Sequence, residues 1–218
     1  MSALCAAPGP PAPRQRVGVL ASGRGTNLQA LLDAQARGEL GEARVVLVVS
    51  NVVSAAALER ARRAGVAAEF CDPRGLSREE YDARLLERLR ARRIELLCLA
   101  GYLRLLSAAF VAGFAGPILN VHPSLLPAFP GLHAQRQALE HGVKVSGATV
   151  HLVDAGLDSG PIVLQEGVPV HDNDTPDALA ARILEAEHRL YPHAVRLVAE
   201  GRYRLAGRRV LRAGAEEG

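Results

Sequence analysis

Short, nearly unbroken apolar runs alternate along this chain with longer stretches whose apolar residues recur at helical spacing. Arg16 to Ser22 is an aliphatic run ending in small residues, and from Thr26 onward Leu28, Leu31 and Leu32 mark one helix face. The pattern then repeats: a strand at Arg44 to Ser50, a helix at Ser54 to Ala64, a short strand near Val66 to Phe70, a helix at Ser77 to Arg92 and a strand at Ile94 to Ala100. Such alternation predicts a parallel sheet wrapped by helices. The runs VVLVV and IELLCLA have almost no polar face, as strands covered on both sides require.

From Gly116 the texture changes. A brief strand at Pro117 to Asn120 runs into Pro123, Pro127 and Pro130, whose fixed φ and missing N–H groups predict a long, stiff loop. A helical stretch near Leu132 to Glu140 precedes two strands, Val145 to Val153 and Pro161 to Val170, separated by the polar turn DAGLDSG. Thr175 then caps a helix with Pro176 at its first position and Asp177 in its first turn, running to about Ala199 with a kink expected at Pro192. The segment from Ala206 to Gly218 reads as a C-terminal tail, a small strand or coil, and Met1 to Gln15 as a disordered tail rich in Pro and Ala.

Composition narrows the function classes. A chain of 218 residues can bury one substantial core, which favours a single domain or two tightly joined halves. No apolar run approaches the roughly 20 residues of a membrane span, so no membrane partner is expected. The net charge is +3 and the arginines are scattered rather than gathered in a stripe, which argues against nucleic acid. Lys144 is the only lysine, which rules against a Walker-type phosphate loop and makes Schiff-base chemistry improbable. Cys5, Cys71 and Cys98 are widely spaced without a C-x-x-C, so neither a disulfide framework nor a zinc site is indicated and a cytoplasmic setting fits. The histidines, including His133, His141 and His151, show no H-E-x-x-H or His/Cys ligand spacing, and no metal is expected.

Four constellations carry candidate chemistry. Gly23-Arg24-Gly25-Thr26-Asn27 joins the first strand to the first helix, where exposed N–H groups and a helix N-terminus suit a phosphate, or simply make a turn. Leu28 stands where a dinucleotide fingerprint needs its third glycine. Asn120 and His122 sit two apart at a strand end, pointing to one side at the sheet's carboxyl edge, or else capping loop backbone. In Asp154-Ala155-Gly156-Leu157-Asp158-Ser159-Gly160 the carboxylates are either a solvated turn or the partner of His122; an Asp reaching that ring favours the imidazolium and fixes its orientation. Glu187 falls within the apolar face marked by Leu179, Ile183, Leu190 and Ala194, as a salt bridge to an arginine or a contact to ligand hydroxyls.

Taken together, ASGRGTNLQALLDA, LAGYLRLLS, NVHPSLLPAFPGLHAQRQALEHG, HLVDAGLDSGPIVLQ and EAEHRLYP resemble the phosphoribosylglycinamide formyltransferase family in order and spacing, from about Arg16 to Leu205. The resemblance implies a Rossmann-like formyltransferase fold of the α/β class, a mostly parallel twisted sheet with helices on both faces. It also implies a nucleotide-binding half at about 16–115 and a folate-binding, catalytic half at about 116–205. Gly25, Thr26 and Asn27 match the family's substrate phosphate loop, Glu187 its ribose contact, and Asn120, His122 and Asp158 its catalytic set. Arg78, Leu103, Arg104, Leu105, Leu106 and Asn120, with Asp154, Ala155, Gly156, Leu157 and Asp158, match folate contacts. The implied partners are two small molecules, glycinamide ribonucleotide and the co-substrate 10-formyltetrahydrofolate, with the protein a monomer or homodimer. Leu184 departs from the pattern, since some relatives carry glutamine there.

Three other readings remain. A formyl-folate hydrolase uses water at the same three residues, but its relatives carry an extra N-terminal domain, and about 15 residues precede the first strand here. A transfer-RNA formyltransferase carries a further C-terminal domain. A non-catalytic nucleotide-binding module accounts for the glycine loop but leaves the polar set at the strand end unexplained.

Overall fold

In the computed structural model residues 15–212 are described. The first half alternates strand and helix: β1 (Gln15–Leu20), α1 (Thr26–Ala36), β2 (Ala43–Ser50), α2 (Ala56–Arg63), β3 (Ala67–Phe70), α3 (Arg78–Ala91), β4 (Leu96–Leu99), α4 (Ala108–Gly113) and β5 (Ile118–His122). Then come α5 (Ala134–Glu140), β6 (Val145–Leu152), β7 (Ile162–Pro169), α6 (Pro176–Ala199), β8 (Tyr203–Ala206) and β9 (Arg209–Arg212).

All nine strands lie in one sheet of order β3-β2-β1-β4-β5-β6-β7-β9-β8. The first five are parallel; β6 and β7 return antiparallel across a short turn, and β9 pairs parallel with β7 at Ile162 and Arg209. This is the mostly parallel α/β sheet that the alternation predicts. One apolar core joins the sheet to α1, α2 and α6, with Leu28, Leu58, Ile183 and Val195 buried; the other joins it to α3 and α4 through Tyr81, Leu85, Leu89 and Phe110. Helices therefore cover both faces, and the central strands have no solvent face to polarise.

The helix boundaries follow their chemistry. Ser77 and Glu80 form a reciprocal capping box on α3. The Thr175 hydroxyl accepts the Ala178 N–H at the start of α6, with Pro176 in the first turn. That helix continues through Pro192 to Ala199.

Several sequence boundaries shift. β5 extends past Asn120 to His122, because antiparallel pairing with β6 holds it to the His122–Thr149 register. Gln15 is the first residue of β1 rather than part of a tail, and residues 203–212 form a β-hairpin where the sequence reading ends its domain at 205. Of the tail assigned to residues 1–15, residues 1–14 lie outside the described residues, as do residues 213–218. The strand order reverses between β1 and β4, and in open α/β sheets ligands bind at the carboxyl edge beside such a point.

Candidate active site

The turn after β1 is stitched to the segment after β4. The Ser22 N–H donates to the Gly101 carbonyl at 3.0 Å, and the Ser22 hydroxyl accepts the Leu103 N–H at 2.9 Å while donating to Asn51 at 2.7 Å. Gly25 is left-handed at φ 70°, and a Cβ there would lie 2.8 Å from the Ala57 backbone, so conformation and space both demand glycine. α1 opens directly after it at Thr26 without a side-chain cap, leaving first-turn N–H groups free of intrahelical partners and favourable to an anion.

Asn27 turns inward from that first turn. Its Nδ2 donates at 2.7 Å to Oε2 of Glu187, a residue only 7% exposed on α6. Burial pushes the Glu187 carboxyl above its usual range, against the hydrogen bond from Asn27. The Asn27 Oδ1 is buried without a partner among the described residues. Of the two alternatives for Glu187, a salt bridge to an arginine is not what forms. The contact is to the glycine-turn helix, so two motifs 160 residues apart meet in one subsite.

The second cluster forms where β5, β6 and the β6–β7 turn converge. Asn120 and His122 lie on β5, opposite His151 and Thr149 of β6. Nδ1 of His122 is 3.3 Å from Oδ2 of Asp158, and its Nε2 is 2.9 Å from the Phe129 carbonyl. Both neighbours are acceptors, so the doubly protonated ring satisfies both contacts. Asn120 Nδ2 lies 3.4 Å from Oδ1 of Asp158 and 3.2 Å from Nε2 of His151, while His151 Nδ1 faces the Leu152 carbonyl at 2.9 Å. Asp158 also accepts the Gly131 N–H at 2.8 Å. Burial raises its carboxyl pKa, but the nearby His151 ring, with Nε2 at 3.7 Å, the Gly131 N–H and the His122 ring outweigh that and hold it below the usual aspartate value. The proline-rich loop is anchored beneath this cluster by buried Thr149, whose hydroxyl donates to the Ser124 carbonyl at 2.7 Å and accepts the Leu126 N–H at 3.1 Å.

The residues matched to folate contacts fall into two groups. Leu103 and Leu105 after β4 are exposed, Arg78 at the start of α3 donates to the Leu106 carbonyl at 2.5 Å, and the Arg104 guanidinium stacks 4.5 Å from the centre of the Tyr81 ring. On the β6–β7 turn Asp154 Oδ1 accepts the Gly156 N–H at 3.0 Å and the Ser159 hydroxyl at 2.7 Å, with Ala155, Gly156 and Leu157 exposed. No described hydrogen bond links the two groups. A groove of about 350 Å³ runs beside Thr26 along α1, and a cavity of about 500 Å³ reaches Asp158; neither is lined by Asn120 or His122.

Covalent alternatives lack the groups they need. Cys98 is fully buried in β4, where burial pushes its thiol up to about 12. Ser124 is fully buried and spends its hydroxyl on the Ala128 carbonyl at 2.6 Å. Among the described residues no three His, Cys, Asp or Glu side chains are grouped to hold a metal ion, and no helix is long and apolar enough to cross a membrane.

Sequence reading missed His151 and Ser22 as members of this site. Ser22 lies beside the glycine motif, with nothing in its pattern to mark the link to Leu103. His151 was considered only as a metal ligand, but its place opposite Asn120 follows once β5 and β6 are paired antiparallel.

The formyl transferase family matches residues 15–195. The chain is 49% identical over 190 residues to the trifunctional purine biosynthetic protein adenosine-3 of Drosophila melanogaster, covering 86% of this chain and 14% of that protein. It thus spans a small part of the multifunctional relatives it matches. With the phosphoribosylglycinamide formyltransferase of Escherichia coli it shares 44% identity over 188 residues, 86% of this chain and 88% of the other. Its structure matches that of glycinamide ribonucleotide transformylase 1 from Symbiobacterium toebii with a TM-score of 0.89 at 57% identity, covering 91% and 94% of the two chains.

Proposed function

The chain belongs to the formyl transferase family, and on that premise we propose that it transfers the formyl group of 10-formyltetrahydrofolate to the amine of glycinamide ribonucleotide, a step of purine synthesis. The observation that carries this reading is the meeting of Asn120, His122 and Asp158 at one sheet edge, two strands from β1, whose following turn leads into the Asn27–Glu187 subsite. In this role the protein works in the cytoplasm as a monomer or homodimer, with a nucleotide-binding half at about 16–115 and a folate-binding half at about 116–205.

The substrate phosphate lies on the backbone of Gly25, Thr26 and Asn27, and its ribose hydroxyls on Glu187. The folate lies between the Leu103–Leu106 segment, flanked by Arg78, and the Asp154–Asp158 turn. The substrate nitrogen forms a bond to the formyl carbon, and the carbonyl π pair moves onto its oxygen. Asn120 Nδ2 and the His122 ring supply the donors that stabilise this charge, exchanging their present contacts to Asp158 and Phe129 for the oxygen. Collapse restores the carbonyl and breaks the bond to N10 of the folate, which takes a proton delivered by His122. The proton lost by the attacking nitrogen leaves through water to Asp158, so no residue is acylated.

The test is to combine the purified protein with both substrates, and with each omitted in turn. The expected result is formylglycinamide ribonucleotide in one-to-one yield with tetrahydrofolate, and only when both are present. Release of formate from the folate alone, at a rate unaffected by the ribonucleotide, would establish a hydrolase instead.

A further inference from the structure

The hairpin β8–β9 lies beyond the 15–195 span matched by the family, yet it touches the site. It joins the sheet through the Ile162–Arg209 pair, and Nη2 of Arg208, in its turn, donates to the Ser159 carbonyl. Arg208 also closes one wall of the 500 Å³ cavity that Leu126, Pro127, Leu157 and Asp158 help to line.

Ser159 follows Asp158 directly, and Asp158 is left-handed at φ 48°, a region uncommon for non-glycine residues that aspartate enters more readily than most. The contacts around it have different reach. The Ser159 hydroxyl on Asp154 closes the turn upon itself. Gly160 fixes where the chain rejoins the sheet, since a Cβ there would run into the Leu152 carbonyl. Arg208 ties the turn's backbone to a separate element.

We propose that Arg208 is a positioning residue: by holding the Ser159 carbonyl from the C-terminal hairpin, it sets the Asp158 carboxylate against His122. Its effect on turnover rests on the function proposed above, whereas the tether itself does not. The groups facing Asp158 are His122 and Asn120 from β5, His151 from β6 and the Gly131 N–H from the proline-rich loop, while Asp154 in its own turn is engaged by the Ser159 hydroxyl. Loosening the turn weakens the contacts that keep the carboxylate ionised.

Arg208→Ala and Arg208→Lys are compared with the parent by amide hydrogen exchange over residues 154–160 and by kcat against pH. In Arg208→Ala exchange should accelerate about three- to tenfold, the scale of one lost hydrogen bond. Turnover should fall by a similar factor, the acid limb should move to higher pH, and the KM for the ribonucleotide should stay unchanged. Arg208→Lys should recover most of each change. Unchanged exchange in Arg208→Ala overturns the tether, and faster exchange with a parental pH profile overturns the positioning role. A parent that transfers no formyl group sinks the proposed function, while the exchange measurement still decides the tether.

Discussion

Asp158 shows how a single carboxylate is tuned by its neighbours. Burial alone would raise its pKa, but the nearby His151 ring, the hydrogen bond from the Gly131 N–H and the His122 ring bring it below the ordinary value. A carboxyl with a depressed folded-state pKa contributes stability that is present above its unfolded pKa, near 3.9, and is lost as pH falls through the folded value. Asp158 therefore stays ionised throughout the neutral range. Asp158→Asn keeps the shape and removes the charge, so turnover near neutrality should fall by about two or more orders of magnitude. His122→Ala should be at least as damaging. The double variant should be little worse than the worse single one, because groups acting as a unit are strongly non-additive. Measuring kcat for all four proteins decides this, and additive losses would mean that the two act independently. At this scale the sequence was legible for Asn120 and His122, where proline rigidity follows a strand end. It was less so for Asp158, whose role depends on a turn folding back over β5, and not for His151, whose signal exists only in the cross-strand register.

Elements with strong periodicity were read closely, and those held by tertiary contacts were not. α1 announces itself by spacing, α3 and α6 by spacing and caps, and β2 and β4 by unbroken aliphatic runs. α4 is only six residues, too short for a period to show, and β8 and β9 carry exposed arginines that hide their alternation. α6 also carries the costliest residue of the site. A buried carboxyl with a raised folded-state pKa favours the fold while protonated, so stability falls as pH rises from the unfolded glutamate value, near 4.3, towards the folded one. Glu187→Gln removes this penalty and can still accept from Asn27. Its melting temperature relative to the parent should therefore climb as pH rises above the unfolded glutamate value. The same change should raise the ribonucleotide KM by about tenfold or more with kcat nearly intact, as expected for a charged hydrogen bond made equally in ground and transition states. A loss confined to kcat would assign Glu187 to the reacting centre.

At the scale of the whole molecule, the site exists because two distant stretches are locked to the same strands. Tyr191 of α6 is the lock: its ring is fully buried, and its hydroxyl reaches the carbonyls of Leu99 on β4 at 3.0 Å and Leu119 on β5 at 3.1 Å. Burial pushes the phenol well above its ordinary pKa, so it remains a donor at any working pH. α6 is thereby fixed against the strands that lead into Leu103–Leu106 and into Asn120–His122, while Glu187, one turn earlier, meets Asn27. None of this was readable from the sequence, where Tyr191 is one aromatic beside a proline in an amphipathic helix. Tyr191→Phe keeps the packing and removes the donor, leaving a buried contact unmade at a cost of about 1–3 kcal/mol. For a domain of this size that lowers the melting temperature by about 2–4 °C per kcal/mol. If the hydroxyl also sets the spacing between the two subsites, the variant should lose kcat while each substrate, bound alone, keeps its affinity. Calorimetric binding of each substrate beside steady-state rates would show this, and a variant as stable and active as the parent would reduce Tyr191 to core filling.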